Sequence, residues 1–107
     1  MKIEFFTSRS GRQPVKRYLD KLENRTLAAI AVALDSLQSQ GMSGANVNTR
    51  KLRDGLWELK VGPQRILFTL TEPGQLVLLH AFVKQSQRTP SVELTTALSR
   101  LSLILRS

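Results

Sequence analysis

Between Lys51 and Pro90, three apolar runs follow one another with almost no chain to spare. They span about 56–61, 64–71 and 76–84, separated by Gly62-Pro63 and by Glu72-Pro73-Gly74-Gln75. Connections this short, built from residues that favour turns, join antiparallel neighbours. A parallel return would need a crossover of about a dozen residues or more. The spacing therefore predicts an antiparallel meander. A short segment, Arg50–Arg53, and an Asp54-Gly55 turn lead into it. Leu76 to Val83 is apolar at every position except His80. A run with no polar face belongs to a central strand covered on both sides.

The flanks supply the covering. Lys2 to Thr7 alternates as a strand does, with Ile3 and Phe5 against Lys2 and Glu4. Pro14 opens a helix whose Val15, Tyr18, Leu19 and Leu22 fall at i, i+3, i+4, i+7. Asn24 reads as the N-cap of a second helix, with Leu27, Ile30, Ala31, Leu34 and Leu37 on one face and Gly41 as its stop. Residues 41–49 read as a loop. Thr89-Pro90 opens a last helix with proline in its first turn, Glu93 near the positive end of its dipole, and a stripe of Leu94, Ala97, Leu98, Leu101 and Leu105. Leu103 and Ile104 widen that stripe beyond what one core contact needs. The order is β-α-α-β-β-β-α, an α+β domain of residues 1–107 in which two N-terminal helices and a C-terminal helix pack on the meander. One such length of chain supports one modest core.

Charge narrows the range of partners. Sixteen Lys+Arg against eight Asp+Glu give +8, with an isoelectric point near 10.9. Residues 1–25 and 50–88 each hold seven cations against three acids, or +4. The segment between them carries only Asp35. Two basic blocks favour nucleic acid or another acidic partner. With no cysteine there are neither disulfides nor thiolate metal sites, which fits a reducing compartment. The Met1-Lys2-Ile3-Glu4 start is too charged for a signal h-region, and no apolar run approaches the roughly 20 residues that span a bilayer. A cytoplasmic protein is expected, with no membrane association.

Strand alternation sorts the candidate site. Trp57, Leu59 and Val61 share one face, where Trp57 reads as a core anchor, and Glu58 and Lys60 share the other. Ile66, Phe68 and Leu70 oppose Arg65. Lys84 ends the last strand on the His80 and Phe82 face. A concave sheet would let Arg65, Lys60, Glu58, Lys84, Arg53 and Lys51 line one shallow basic groove, with Gln87 and Arg88 on its rim. Metal-free RNA cleavage uses the substrate's own 2′-hydroxyl. It needs a base for that proton, a cation for the phosphorane charge and an acid for the leaving 5′-oxygen. Arginine suits the second task, because it stays charged and grips phosphate with two donors. Glu58, or a lysine crowded by other cations, suits the first. An exposed Glu58–Lys60 charge pair is the alternative for that face. His80 reads equally as a hydrogen-bonded core histidine or a catalytic one. A single histidine makes neither an acid–base pair nor a zinc site.

The segments K-L-R-D-G-L-W-E-L-K (51–60), Q-R-I-L-F (64–68), L-L-H-A-F-V-K (78–84) and Q-R-T-P (87–90) together resemble the HigB branch of the RelE/ParE toxin superfamily, including its phage-derived relatives. The resemblance implies a RelE-like fold and the toxin of a type II toxin–antitoxin system. Such a toxin enters the ribosomal A site and cleaves mRNA there without metal or cofactor. It also implies a helix-turn-helix antitoxin, a toxin–antitoxin heterotetramer, and operator DNA bound only by that complex. By position, Arg65 resembles the family's arginine for the scissile phosphate and Lys84 the lysine closing the last strand. Arg53 and Lys51 resemble contacts to ribosomal RNA and phosphate, and Glu58 and Lys60 occupy the substrate-facing strand. The chain departs from the pattern at Gln85, where relatives often carry a cation, and at Gln64 and Phe68, where they often carry tyrosine. A ParE-like gyrase inhibitor and a phage-derived basic binding module are the competing readings, because fold alone does not fix function.

Overall fold

The computed structural model describes residues 1–106, so Ser107, the last residue of the expected domain, lies outside it. Five strands and three helices follow in chain order: β1 (Lys2–Phe5), α1 (Pro14–Asp20), α2 (Asn24–Gln40), β2 (Thr49–Arg53), β3 (Leu56–Val61), β4 (Gln64–Glu72), β5 (Gln75–Val83) and α3 (Ser91–Leu105). The strands form one sheet in the order β1-β5-β4-β3-β2. β2 to β5 make the antiparallel meander, and β1 adds to β5 in parallel. The architecture is α+β with a mixed, mostly antiparallel sheet.

Two features differ from the sequence expectation. The segment Arg50–Arg53 is most of a fourth meander strand, which makes the order β-α-α-β-β-β-β-α. Its Arg50 and Lys51 carry no apolar alternation, so pairing with β3 rather than its own hydrophobicity holds it extended. The sheet is also not wholly antiparallel, because the two N-terminal helices carry the chain from β1 across to the opposite edge.

Alternation along the strands feeds two cores. On one side Leu59, Ile66, Phe68, Leu76 and Leu78 pack against Val15 and Leu19 of α1 and Ile30, Ala33 and Leu37 of α2. Trp57 packs against this core and stacks on Phe68, with ring centroids 6.5 Å apart. On the other side Leu56, Leu67, Val77, Leu79 and Phe82 pack against Ala97 and Leu101 of α3. β5 is therefore apolar on both faces because helices cover both. A bulge at Leu79 interrupts its register: Leu67 opposes His80, whereas Phe68 opposes Leu78. The extra residue leaves both Leu79 and His80 directed toward α3.

The helix ends and stripes shift slightly. Asn24 is the first helical residue of α2, and Glu23 is its cap. Ala33, not the exposed Ala31, completes that helix's inner face. Gly41 ends α2 at φ +78°, a conformation that glycine adopts without steric cost. Pro90 is the cap of α3 rather than part of its first turn. In α3, Ile104 packs inward while Leu105 is 75% exposed, since the helix turns that position away from the sheet. Among the described residues no helix is long and apolar enough to cross a membrane.

The fully buried Phe68 spans the first core and stacks on Trp57. Phe68→Ala is expected to lower unfolding free energy by about 3–5 kcal/mol. Val92→Ala, at an exposed position of α3, should change it by no more than about 0.5 kcal/mol. Urea titration of both variants checks the pair.

Candidate nucleic-acid interface

The α3-facing side of the sheet is not uniformly apolar. One row across it reads Arg50, Glu58, Leu67, His80, and the next reads Lys60, Arg65, Phe82. The second row ends at the tight Gly62-Pro63 turn, where Gly62 takes φ +57°. The Lys84 backbone N–H donates to the Pro63 carbonyl at 2.8 Å, which places Lys84 beside the same turn. Arg50, Lys60, Arg65 and Lys84 thus come from four strands or strand ends to one part of the molecule.

Glu58 lies at the centre of this group. Its side chain is 0% exposed, a costly position for a carboxylate without partners. Three groups supply them. Arg50 Nη2 donates to Oε1 at 3.3 Å. Arg65 Nε lies 3.8 Å from the same oxygen, close enough for an ion pair. The Thr89 hydroxyl donates to Oε2 at 3.2 Å. Glu58 is therefore neither an exposed partner of Lys60 nor a base open to substrate: both oxygens are engaged and solvent does not reach them. The carboxylate holds cations in place.

Arg65 is fixed from two directions. Its Nη1 donates to the carbonyls of Gly62 at 2.6 Å and Gln64 at 2.9 Å. Its side chain is only 14% exposed, and Nε is buried with no hydrogen-bond partner. Carbonyls on one side and a carboxylate on the other hold the guanidinium in a single position. Gln64 is fixed in turn, because the Tyr18 hydroxyl of α1 donates to its Oε1 at 2.5 Å. Burial raises the Tyr18 pKa above its ordinary value.

His80 is tied to α3 through both ring nitrogens. Arg100 Nη1 lies 3.2 Å from Nδ1. A guanidinium has donors only, so Nδ1 accepts. Nε2 then carries the proton and donates to Glu93 Oε1 at 2.7 Å. Both ring nitrogens are occupied, and the ring stacks on Phe82 at 5.8 Å. Arg100 also donates to the Leu79 carbonyl at 2.8 Å and lies over the Phe6 ring. Burial lowers its pKa from the ordinary value. This group pins α3 to the bulge of β5.

The remaining candidates divide. Gln87 and Arg88 are exposed in the 84–90 loop, which Thr89 ties to Glu58. Lys51 does not join the groove, because it pairs across with Trp57 and so faces the other side of the sheet, where it meets Asp54 at 3.4 Å. Arg53 opposes Leu56 beside the Asp54-Gly55 turn, at the far end of β3 from Lys60. Arg50 and Thr89 were not among the candidates. Arg50 is legible once β2 is read as a strand, since it lies two positions before Leu52 on the face that pairs with Glu58.

A family model described as "Phage derived protein Gp49-like" matches residues 17–102, a stretch that contains every residue of this cluster. No curated protein matches the chain.

Removing the carboxylate should expose its role. Glu58→Ala leaves Arg65 largely buried with its charge unbalanced and is expected to cost about 3 kcal/mol in chemical denaturation. The sole tyrosine offers a second check. Its raised folded-state pKa means the neutral phenol contributes stability that is fully present below about pH 10 and is lost as pH rises through the folded value. Absorbance titration should place Tyr18 ionisation higher in the folded than in the denatured protein, and Tyr18→Phe should weaken the alkaline loss of stability.

Proposed function

The chain belongs to the Gp49-like family of phage-derived proteins, and from that premise we propose that it is the HigB-like toxin of a type II toxin–antitoxin pair. Its reaction is ribosome-dependent cleavage of mRNA. The observation that carries this reading is the arginine held at the Gly62-Pro63 turn among further cations. Arg65 is kept rigid by two carbonyls and a buried carboxylate, with Lys60 and Lys84 beside it and Arg88 on the adjoining loop.

Cleavage by this route attacks the phosphorus with the substrate's 2′-oxygen and breaks the bond to the 5′-oxygen. The products are a 2′,3′-cyclic phosphate and a 5′-hydroxyl. A guanidinium already fixed in position stabilises the extra negative charge of the phosphorane without reorganising during the reaction. The proton leaves the 2′-hydroxyl for a base and reaches the 5′-oxygen from an acid. Glu58 and His80 are occupied, so these transfers fall to Lys60 and Lys84. The partners of this reading are the ribosome with its mRNA and a helix-turn-helix antitoxin, which together with the toxin binds operator DNA.

Induced expression of wild-type protein should arrest growth and produce new mRNA 5′ ends within translated frames. Arg65→Ala should relieve the arrest and lower cleavage by about 100-fold or more, the order lost with one electrostatic stabiliser. Arrest by a soluble, folded Arg65→Ala protein contradicts the role of Arg65. Arrest with intact mRNA and accumulating DNA breaks points instead to a gyrase inhibitor, and harmless wild-type expression to a binding module.

A further inference from the structure

Arg50 lay outside the candidate set, yet it shares the Glu58 carboxylate with Arg65. Both guanidinium groups approach the same oxygen, Arg50 Nη2 at 3.3 Å and Arg65 Nε at 3.8 Å. Their surroundings differ. The Arg65 side chain is 14% exposed and tied to the turn, whereas that of Arg50 is 48% exposed. Glu58 has no such latitude, because it is fully buried. Arg50 is therefore anchored at Nη2 while about half of its side chain stays exposed. A guanidinium has five donors in a fixed plane, so a single bond to Glu58 leaves a complete edge for an incoming oxyanion.

Two arginines bridged by one carboxylate differ from two free surface arginines. Without Glu58 their like charges would repel and splay the side chains. With it the pair holds a set spacing and carries a net charge of +1. We propose that Arg50 is a second phosphate-binding residue, paired with Arg65 through Glu58, and that the two take the phosphates of a single RNA strand. Glu58 is a positioning residue and does not touch the strand. This inference rests on the nucleic-acid reading above and adds a residue to it.

Arg25 provides the control. It is an exposed arginine in the first turn of α2, the helix that packs on the opposite face of the sheet from α3, and its removal changes net charge equally. The test measures binding of a short single-stranded RNA oligonucleotide across a range of salt concentrations, for wild type, Arg50→Ala, Arg50→Lys and Arg25→Ala. Thermal melting confirms that each variant is folded. Each phosphate contact on a single strand adds about 0.7 to the slope of log affinity against log salt.

Arg50→Ala is expected to weaken binding at least 10-fold and to reduce the slope by about 0.7. Arg50→Lys should keep the slope but lose affinity, because an ammonium cannot present a flat edge to phosphate while bonded to Glu58. Arg25→Ala should change affinity less than threefold. Equal losses for Arg50→Ala and Arg25→Ala would mean that only bulk charge matters, and would overturn the Arg50 assignment while leaving the nucleic-acid reading intact. If Arg50→Ala does not fold, full affinity and slope in Arg50→Lys overturn the assignment. Absence of binding by the wild-type protein overturns both.

Discussion

A carboxylate with no exposure to water, surrounded by two arginines and a threonine, organises one end of this protein. Burying Glu58 alone would be prohibitive, and burying Arg65 this far without an anion nearly as costly. Each makes the other tolerable. The consequences reach beyond the pair. The Thr89 hydroxyl draws the 84–90 loop onto the sheet, and Arg50 draws in the edge strand β2. The carbonyls of the Gly62-Pro63 turn take the remaining orientation out of Arg65. An ion group of this kind adds little net stability compared with an apolar replacement. Its contribution is geometric, since it fixes where positive charge can be presented.

The two cores explain why this arrangement is possible. With helices on both faces, the meander has little free surface at its middle. Polar side chains that face α3 must satisfy one another or reach the rim. His80 does the former, linked to Glu93 and Arg100 beneath the last helix. Glu58 does so with partners that themselves reach solvent. The β5 bulge is part of this division, because it leaves Leu79 and His80 on the same side and so brings the imidazole to α3. A histidine that interrupts an apolar strand marks, in this chain, the point where a helix is attached.

Much of this was legible in the order of residues. Gly62-Pro63 and the 72–75 turn determine three strands, and period-two alternation places Glu58, Lys60 and Arg65 on one face opposite Trp57, Leu59 and Ile66. What was not legible depends on contacts between distant positions. β2 lacks an apolar pattern and exists through its pairing with β3. Glu58 reads either as a base or as an exposed partner of Lys60, because nothing local shows that Thr89, far along the chain, closes over it. Lys51 reads as lining the groove, whereas the structure puts its neighbour Arg50 there. One step of alternation separates them and puts them on opposite faces. The parallel addition of β1 likewise follows from the path of α1 and α2, which no local motif encodes.

In the proposed function, polyanions meet this protein at the Glu58-centred cluster rather than across its basic surface at large. The measurement is an NMR titration of nitrogen-15-labelled protein with a short single-stranded RNA, following the arginine side-chain Nε–H and backbone amide signals together. Shifts centred on Arg50, Arg65, Lys84 and the 84–90 loop are the expected result, with Arg25 of α2 little changed. Shifts spread evenly over both basic blocks, or centred on the Lys51 face, would contradict it.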